Sequence, residues 1–207
     1  MAGLEALFAK LAELSEKERL DPTLVPETGS SRYIQDEPFQ DWLARLSPHR
    51  REKAEVLLAI FRALGSQEAE SWVLSEIHEN KPQLSCFLLL RGMWKDAVHF
   101  WLQPGTLESE LRDLDWLRGL EPLDDIQSTV DTVLASGLDL DVLAKFAAYI
   151  AAVSTNMLAS ALDGYDDLPL NAPGFSIQER DGNGELTGYE IWGLHESFLD
   201  NDVARLP

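Results

Sequence analysis

The 207-residue chain holds one cysteine, four histidines and only 17 lysines and arginines, set against 36 aspartates and glutamates, for a formal net charge of -19. The single cysteine, Cys86, excludes an internal disulfide framework. It sits within Leu84-Ser-Cys-Phe-Leu-Leu-Leu90, where it reads as a small buried hydrophobe rather than a reactive thiol. The shortage of bases argues against binding to a phosphate backbone or to an anionic lipid surface, so neither nucleic acid nor membrane is expected as a partner. The few histidines also miss the zinc-protease spacing. Pro82 and Leu199 stand four residues after His78 and His195, where a second imidazole would have to face the metal from the same side of a helix.

Other chemical signatures are missing too. There is no Gly-x-Ser-x-Gly nucleophile elbow and no Gly-x4-Gly-Lys phosphate loop. Gly182, Gly184 and Gly188 are spaced one residue too widely for the dinucleotide fingerprint, so no cofactor is expected. Asp181-Gly-Asn-Gly-Glu185 opens like a calcium loop, but Leu186 stands at the turn-glycine position and Trp192 at that of the bidentate glutamate; turn chemistry accounts for the run. The one basic cluster, His49-Arg50-Arg51-x-Lys53, reads as the solvated face of a helix. Glu5, Lys10 and Glu13 interrupt the amino-terminal segment where a secretion signal needs an apolar run. The apolar stretch Phe146 to Leu162 includes Ser154, Thr155, Asn156 and Ser160 and is shorter than the ~20 residues of a membrane span, so a cytoplasmic location is expected.

What is present is helical grammar. Leu4, Leu7, Phe8, Leu11 and Leu14 form an apolar stripe with helical period that ends near Leu20. The stretch to Asp36 is rich in Pro, Gly, Ser and Thr and reads as a long loop. A second helix carries Phe39, Trp42, Leu43 and Leu46; Ser47-Pro48 caps a third, which Gly65 can end. Ser66 is expected to cap a fourth through Trp72, Val73 and Ile77. Over residues 83–103 periodicity alone does not separate a buried strand from a buried helix; a helix bent near Gly92 is the assignment made. Further helices are expected from Thr106 to Gly119, from Pro122 to Gly137, and from an Asp141 cap to about Leu162. Most of the six tryptophans fall on apolar stripes and are expected in the core.

After Gly164 the pattern changes. Phe175 to Arg180 and Glu185 to Trp192 flank Asp181-Gly-Asn-Gly184, predicting a β-hairpin, followed by one or two helical turns from His195. The expected architecture is therefore mainly α: a bundle of about eight helices forming one domain over 1–207, with a small C-terminal hairpin subregion, 163–207, packed on the helices.

Charge is distributed unevenly. Residues 1–103 carry 16 acids and 12 bases, whereas 104–207 carry 20 acids and 5 bases. Acids at predicted helix starts complement the helix dipole, but Asp163, Asp166 and Asp167 are not explained that way. The leading functional expectation is an interaction protein of inhibitor or immunity type that docks a basic protein partner through Asp163, Tyr165, Asp166, Asp167, Tyr189 and Glu190. Two alternatives stand beside it: a metal-dependent or acid–base hydrolase built on His195 and Glu196, and a homo-oligomeric scaffold that self-associates through Trp-rich helices.

Overall fold

A computed structural model describes residues 2–24, 38–114, 126–163 and 176–205. Of these, 74% are helical counting 3-10 and π turns, with ten α-helices of which eight have seven residues or more, and a two-stranded antiparallel hairpin lies within the C-terminal region. The helices are α1 (Ala2–Leu20), α2 (Phe39–Arg45), α3 (Pro48–Ala63), α4 (Ala69–Glu79), α5 (Gln83–Met93), α6 (Thr106–Arg112), α7 (Ile126–Ala135) and α8 (Leu140–Leu162); after strands β1 (Ile177–Arg180) and β2 (Leu186–Ile191) come the short α9 (Leu194–Phe198) and α10 (Asn201–Ala204). The expected mainly helical bundle with a terminal hairpin is the observed class.

The core is built where α3, α4 and α5 meet. Phe61, Trp72 and Phe87 form a triangle with ring centroids 5.2 to 6.0 Å apart, the two phenyl rings edge to face. Leu57, Ile60, Val73 and Leu90 are fully enclosed around it. The helix ends follow their local chemistry. The Ser47 hydroxyl accepts from the Arg50 amide at the start of α3, and Gly65, at φ 85°, takes the left-handed conformation that ends it. Gly137, at φ 71°, likewise separates α7 from α8.

Several local expectations are revised. Ser66 does not cap α4, whose N-cap is Glu68; its hydroxyl instead donates to the buried Asp202 carboxylate from α10. The cap of α8 is Asp139, which accepts from the Asp141 amide at 2.8 Å, two residues before the expected position. Residues 83–103 contain no strand, and Gly92 lies inside an unbroken α5. The irregularity comes after it, as a π-turn over Trp94–Val98 and a 3-10 turn over His99–Leu102. Side chains from the chain's end hold this departure in place: the Trp94 indole N–H donates to the Phe198 carbonyl at 2.6 Å and stacks on its ring, and the His99 ring meets the Ala204 carbonyl at 2.8 Å. Helix α6 stops at Arg112, with Asp113 and Leu114 already non-helical. The remainder of the expected Thr106–Gly119 helix, the Pro122 start and Phe175 lie outside the described residues.

The basic cluster is also not a solvated face. Arg50 donates to the Ile77 carbonyl, Arg51 donates to the Leu43, Ala44 and Leu46 carbonyls at the end of α2, and Lys53 holds Glu18 at 2.6 Å. The two arginines thus bond carbonyls near the ends of α4 and α2, and Lys53 pairs a carboxylate of α1.

In the hairpin, Ile177 faces Ile191 and Gln178 faces Glu190, with a bulge before Arg180 meets Leu186. The Asp181 carboxylate accepts from the Asn183 and Glu185 amides at 2.8 and 3.0 Å, the turn role its sequence suggested. The hairpin meets the helices through buried Ile191, a Ser85 to Glu179 hydrogen bond and the Lys81 ammonium 4.0 Å from the Trp192 ring centroid.

Candidate functional site

The site expected around Asp163 is a joint between helices. Asp163 is the C-cap residue of α8, and its carboxylate accepts from the Leu194 and His195 amides at 2.9 and 2.8 Å, capping the start of α9. The same carboxylate lies 2.7 Å from His195 Nδ1, and its side chain is only 7% exposed. Asp163 is thus turned inward, supporting the surface from beneath. Tyr165, Asp166 and Asp167 lie outside the described residues. Tyr189 and Glu190 follow one another on β2, so they point to opposite sides. The Tyr189 hydroxyl reaches Asn80 Oδ1 at 3.3 Å, while the Glu190 side chain is exposed.

The Asp163–His195 pair has the form of a carboxylate orienting an imidazole, and His195 and Glu196 are both exposed. The nearby thiol is not poised to join it. Burial pushes Cys86 up to about 12, and the negative charge of Asp163 adds to that shift, so the nucleophilic thiolate is disfavoured. The recess lined by Cys86, Glu190 and Trp192 has a volume of about 10 Å³, room for roughly one water. Among the described residues no group of three or more His, Cys, Asp and Glu side chains is arranged to hold a metal ion.

A second group of titratable side chains gathers from α1, α3, α4 and β1, and no motif announced it. Glu18 accepts from Lys53 and meets His49 Nε2 at 3.2 Å. Beside them Glu76 is half-buried; desolvation raises its carboxyl to about 7, against the opposing pull of Lys53 and of the Leu84 amide, which donates to it at 2.7 Å. The residues converge from positions 18 to 179: α1–α3 and α3–α4 packing joins Glu18, His49, Lys53 and Glu76, and the Ser85–Glu179 hydrogen bond brings β1 beside them.

The tryptophans are mostly packing elements, as expected: Trp72 is buried, and Trp42, Trp94 and Trp101 are half-buried against the core. Trp192 is exposed, and Trp116 lies outside the described residues.

The feature most underestimated from sequence is α8. It begins six residues before the Phe146–Leu162 stretch and, with 23 residues, is long and apolar enough to cross a membrane by length and composition. One side packs on the body through Ala148 and Ala159, while Phe146, Tyr149 and Met157 on the other are each about 60% exposed.

No known protein family, no curated protein and no solved structure matches this chain.

Proposed function

We propose that the chain is an acidic interaction protein that binds a basic protein partner, in the manner of an inhibitor or immunity-type protein neutralising a cationic enzyme. One observation supports this reading most strongly. On the hairpin and α9, the carboxylates of Asp181, Glu185, Glu190 and Glu196 are all exposed, whereas the one exposed arginine there, Arg180, donates to the Gly184 carbonyl. Leu186 and Trp192, each 54% exposed, supply apolar area within this acidic rim. Apolar anchors within a charged rim suit a partner steered by opposite charge and then held by burial. Asp163 contributes by fixing α9 against α8; Tyr165, Asp166 and Asp167 belong to the proposed site by sequence alone, lying outside the described residues.

The test is affinity capture of cationic proteins on the immobilised chain, followed by association kinetics. Glu185, Glu190 and Glu196 changed together to Gln should slow association at low salt, and raising salt from about 0.1 M to about 1 M should slow the wild type similarly as the Debye length falls from about 10 to about 3 Å. An on-rate indifferent to both changes would leave the acidity serving solubility alone.

The 2.7 Å Asp163–His195 contact favours one other reading, acid–base hydrolysis at His195 with Glu196. Turnover of activated esters or phosphate esters that His195→Ala abolishes while the fold persists would establish it; equal rates in both proteins would dismiss it.

A further inference from the structure

The outer side of α8 carries Val142, Phe146, Tyr149, Ile150, Val153 and Met157, each between 41% and 64% exposed. At about 100° of rotation per residue these six fall on one stripe roughly 100° wide. Their spacing runs four, three, one, three and four residues, so the stripe reads the same in both directions about the Tyr149–Ile150 bond. An antiparallel two-fold axis through that point maps it onto itself, placing Val142 opposite Met157, Phe146 opposite Val153 and Tyr149 opposite Ile150. Both aromatic rings then meet a β-branched aliphatic side chain, which suits interdigitation.

We infer that this face is the contact through which two copies of the chain form an antiparallel α8–α8 dimer. Area, charge and dipole all support a second copy as the occupant. Aromatic side chains present about 150–250 Å² each and aliphatic ones somewhat less, so at these exposures the stripe offers on the order of 600 Å², at the upper end for the largest patch on a monomer. Leu138, just before α8 and 54% exposed, extends it toward the roughly 800 Å² per partner of a standard interface. The chain's acidity would normally keep copies apart, yet α8 itself carries one acid and one base, Asp141 and Lys145. In the antiparallel register they oppose Leu158 and Ser154, so like charges do not meet. A parallel pairing would bring the two Asp139–Asp141 ends together and align the helix dipoles unfavourably. A lipid bilayer is the competing apolar partner, but a spanning α8 would have to leave the π-turn, the 3-10 turn, α6 and α9, against which its inner side packs. The dimer uses a face different from the proposed acidic docking surface and does not rest on it.

Sedimentation equilibrium of the full chain tests this directly. Wild type should be dimeric at micromolar concentration, and Ile150→Asp should weaken the dimer at least about tenfold, as expected for a charge placed at the centre of an apolar interface. Since Asp on an exposed helix face can be accommodated by the monomer, far-UV dichroism should be unchanged. Crosslinking fixes the register independently: a copy bearing Val142→Cys mixed with one bearing Met157→Cys should join through a short bis-maleimide, while neither variant should join to itself. The buried Cys86 is spared by its enclosure. A monomer at all concentrations, a dimer indifferent to Ile150→Asp, same-site crosslinks only, or a monomer that floats with zwitterionic phosphatidylcholine vesicles would each overturn the assignment.

Discussion

Helices α5 and α8 are both rich in large apolar residues, yet the fold treats them in opposite ways. In α5, Leu84, Cys86, Phe87 and Leu90 are buried among side chains of α3 and α4. In α8, two alanines are buried and most of the large apolar residues face outward. The small side chains of α8 let its inner face lie close against the π-turn and 3-10 turn, and this close approach leaves the bulky residues on the far side. Apolar content therefore marks core in one helix and available surface in the other. What separates them is whether the large or the small residues face the body.

The sharpest way to break this comparison is to truncate one ring in each helix. Phe87 is fully enclosed against Phe61 and Trp72, so Phe87→Ala should cost about 3–5 kcal/mol by lost burial and a residual cavity. Phe146 is 60% exposed, and Phe146→Ala should change monomer stability by no more than about 0.5 kcal/mol. Urea denaturation of both variants in dilute solution checks the pair. Comparable losses would mean that α8 is covered within the monomer.

The next effect concerns the carboxylate that ties the chain's end to the core. Asp202 is 5% exposed and accepts from Ser66 Oγ, the Gln67 amide and Trp72 Nε1. Burial pushes its pKa upward, but these donors prevail and hold it below the usual carboxylate value. Its contribution is therefore complete above the unfolded pKa of about 3.9 and is lost as pH falls through the lower folded value. Asp202→Asn should cost about 1–3 kcal/mol near neutrality and much less in acid, measured as the change in unfolding midpoint. A loss that does not depend on pH would show that shape, not charge, makes the contact.

Glu76 should behave with the opposite sign. Its carboxyl is raised to about 7 in the fold, above the roughly 4.3 of an unfolded chain, so folding favours the protonated form. The cost is absent below about pH 4.3, grows up to about 7 and is complete above it. Glu76→Gln, which keeps an oxygen for the Leu84 amide, should raise stability near pH 8 by about 1–2 kcal/mol and leave it unchanged near pH 4. Denaturation at the two pH values checks this. Together Asp202 and Glu76 place their joint optimum just above about pH 4, where the first contribution is nearly complete and the second cost has barely begun.

Much of this fold was legible in short-range pattern: the apolar stripes, the Ser47-Pro48 start, the Gly65 and Gly137 stops and the Asp181 turn all act within a few residues. What was not legible depends on distant partners. Ser66 has the sequence of a cap, but Asp202 lies 136 residues away and takes its hydroxyl. Arg50, Arg51 and Lys53 resemble a solvated face until the carbonyls of Leu43 and Ile77 and the carboxylate of Glu18 are brought to them. The candidate site shows the same division. That Glu190 is exposed follows from strand alternation, but Asp163 turning inward could be known only once α9 was seen to begin beneath it.

The smallest effect probes how the far end of α8 is anchored. Asp163 supplies two things at once, a cap for two backbone amides and a partner for the His195 ring. The amides have no alternative acceptor in the helix, because the first N–H groups of any helix lack one. Asp163→Ala should therefore cost about 1–2 kcal/mol, in the range of a lost N-cap. His195 is 44% exposed, so water replaces most of what its imidazole loses, and His195→Ala should cost only about 0.5 kcal/mol. The double variant should cost little more than Asp163→Ala alone, since both substitutions remove the same contact. Amide exchange should quicken in α9 in proportion while the slowest amides of α5 follow only the global loss. If His195→Ala matches Asp163→Ala in cost, the ring rather than the cap holds α9 to α8, and the far end of α8 is fastened by a side-chain contact in place of a backbone cap.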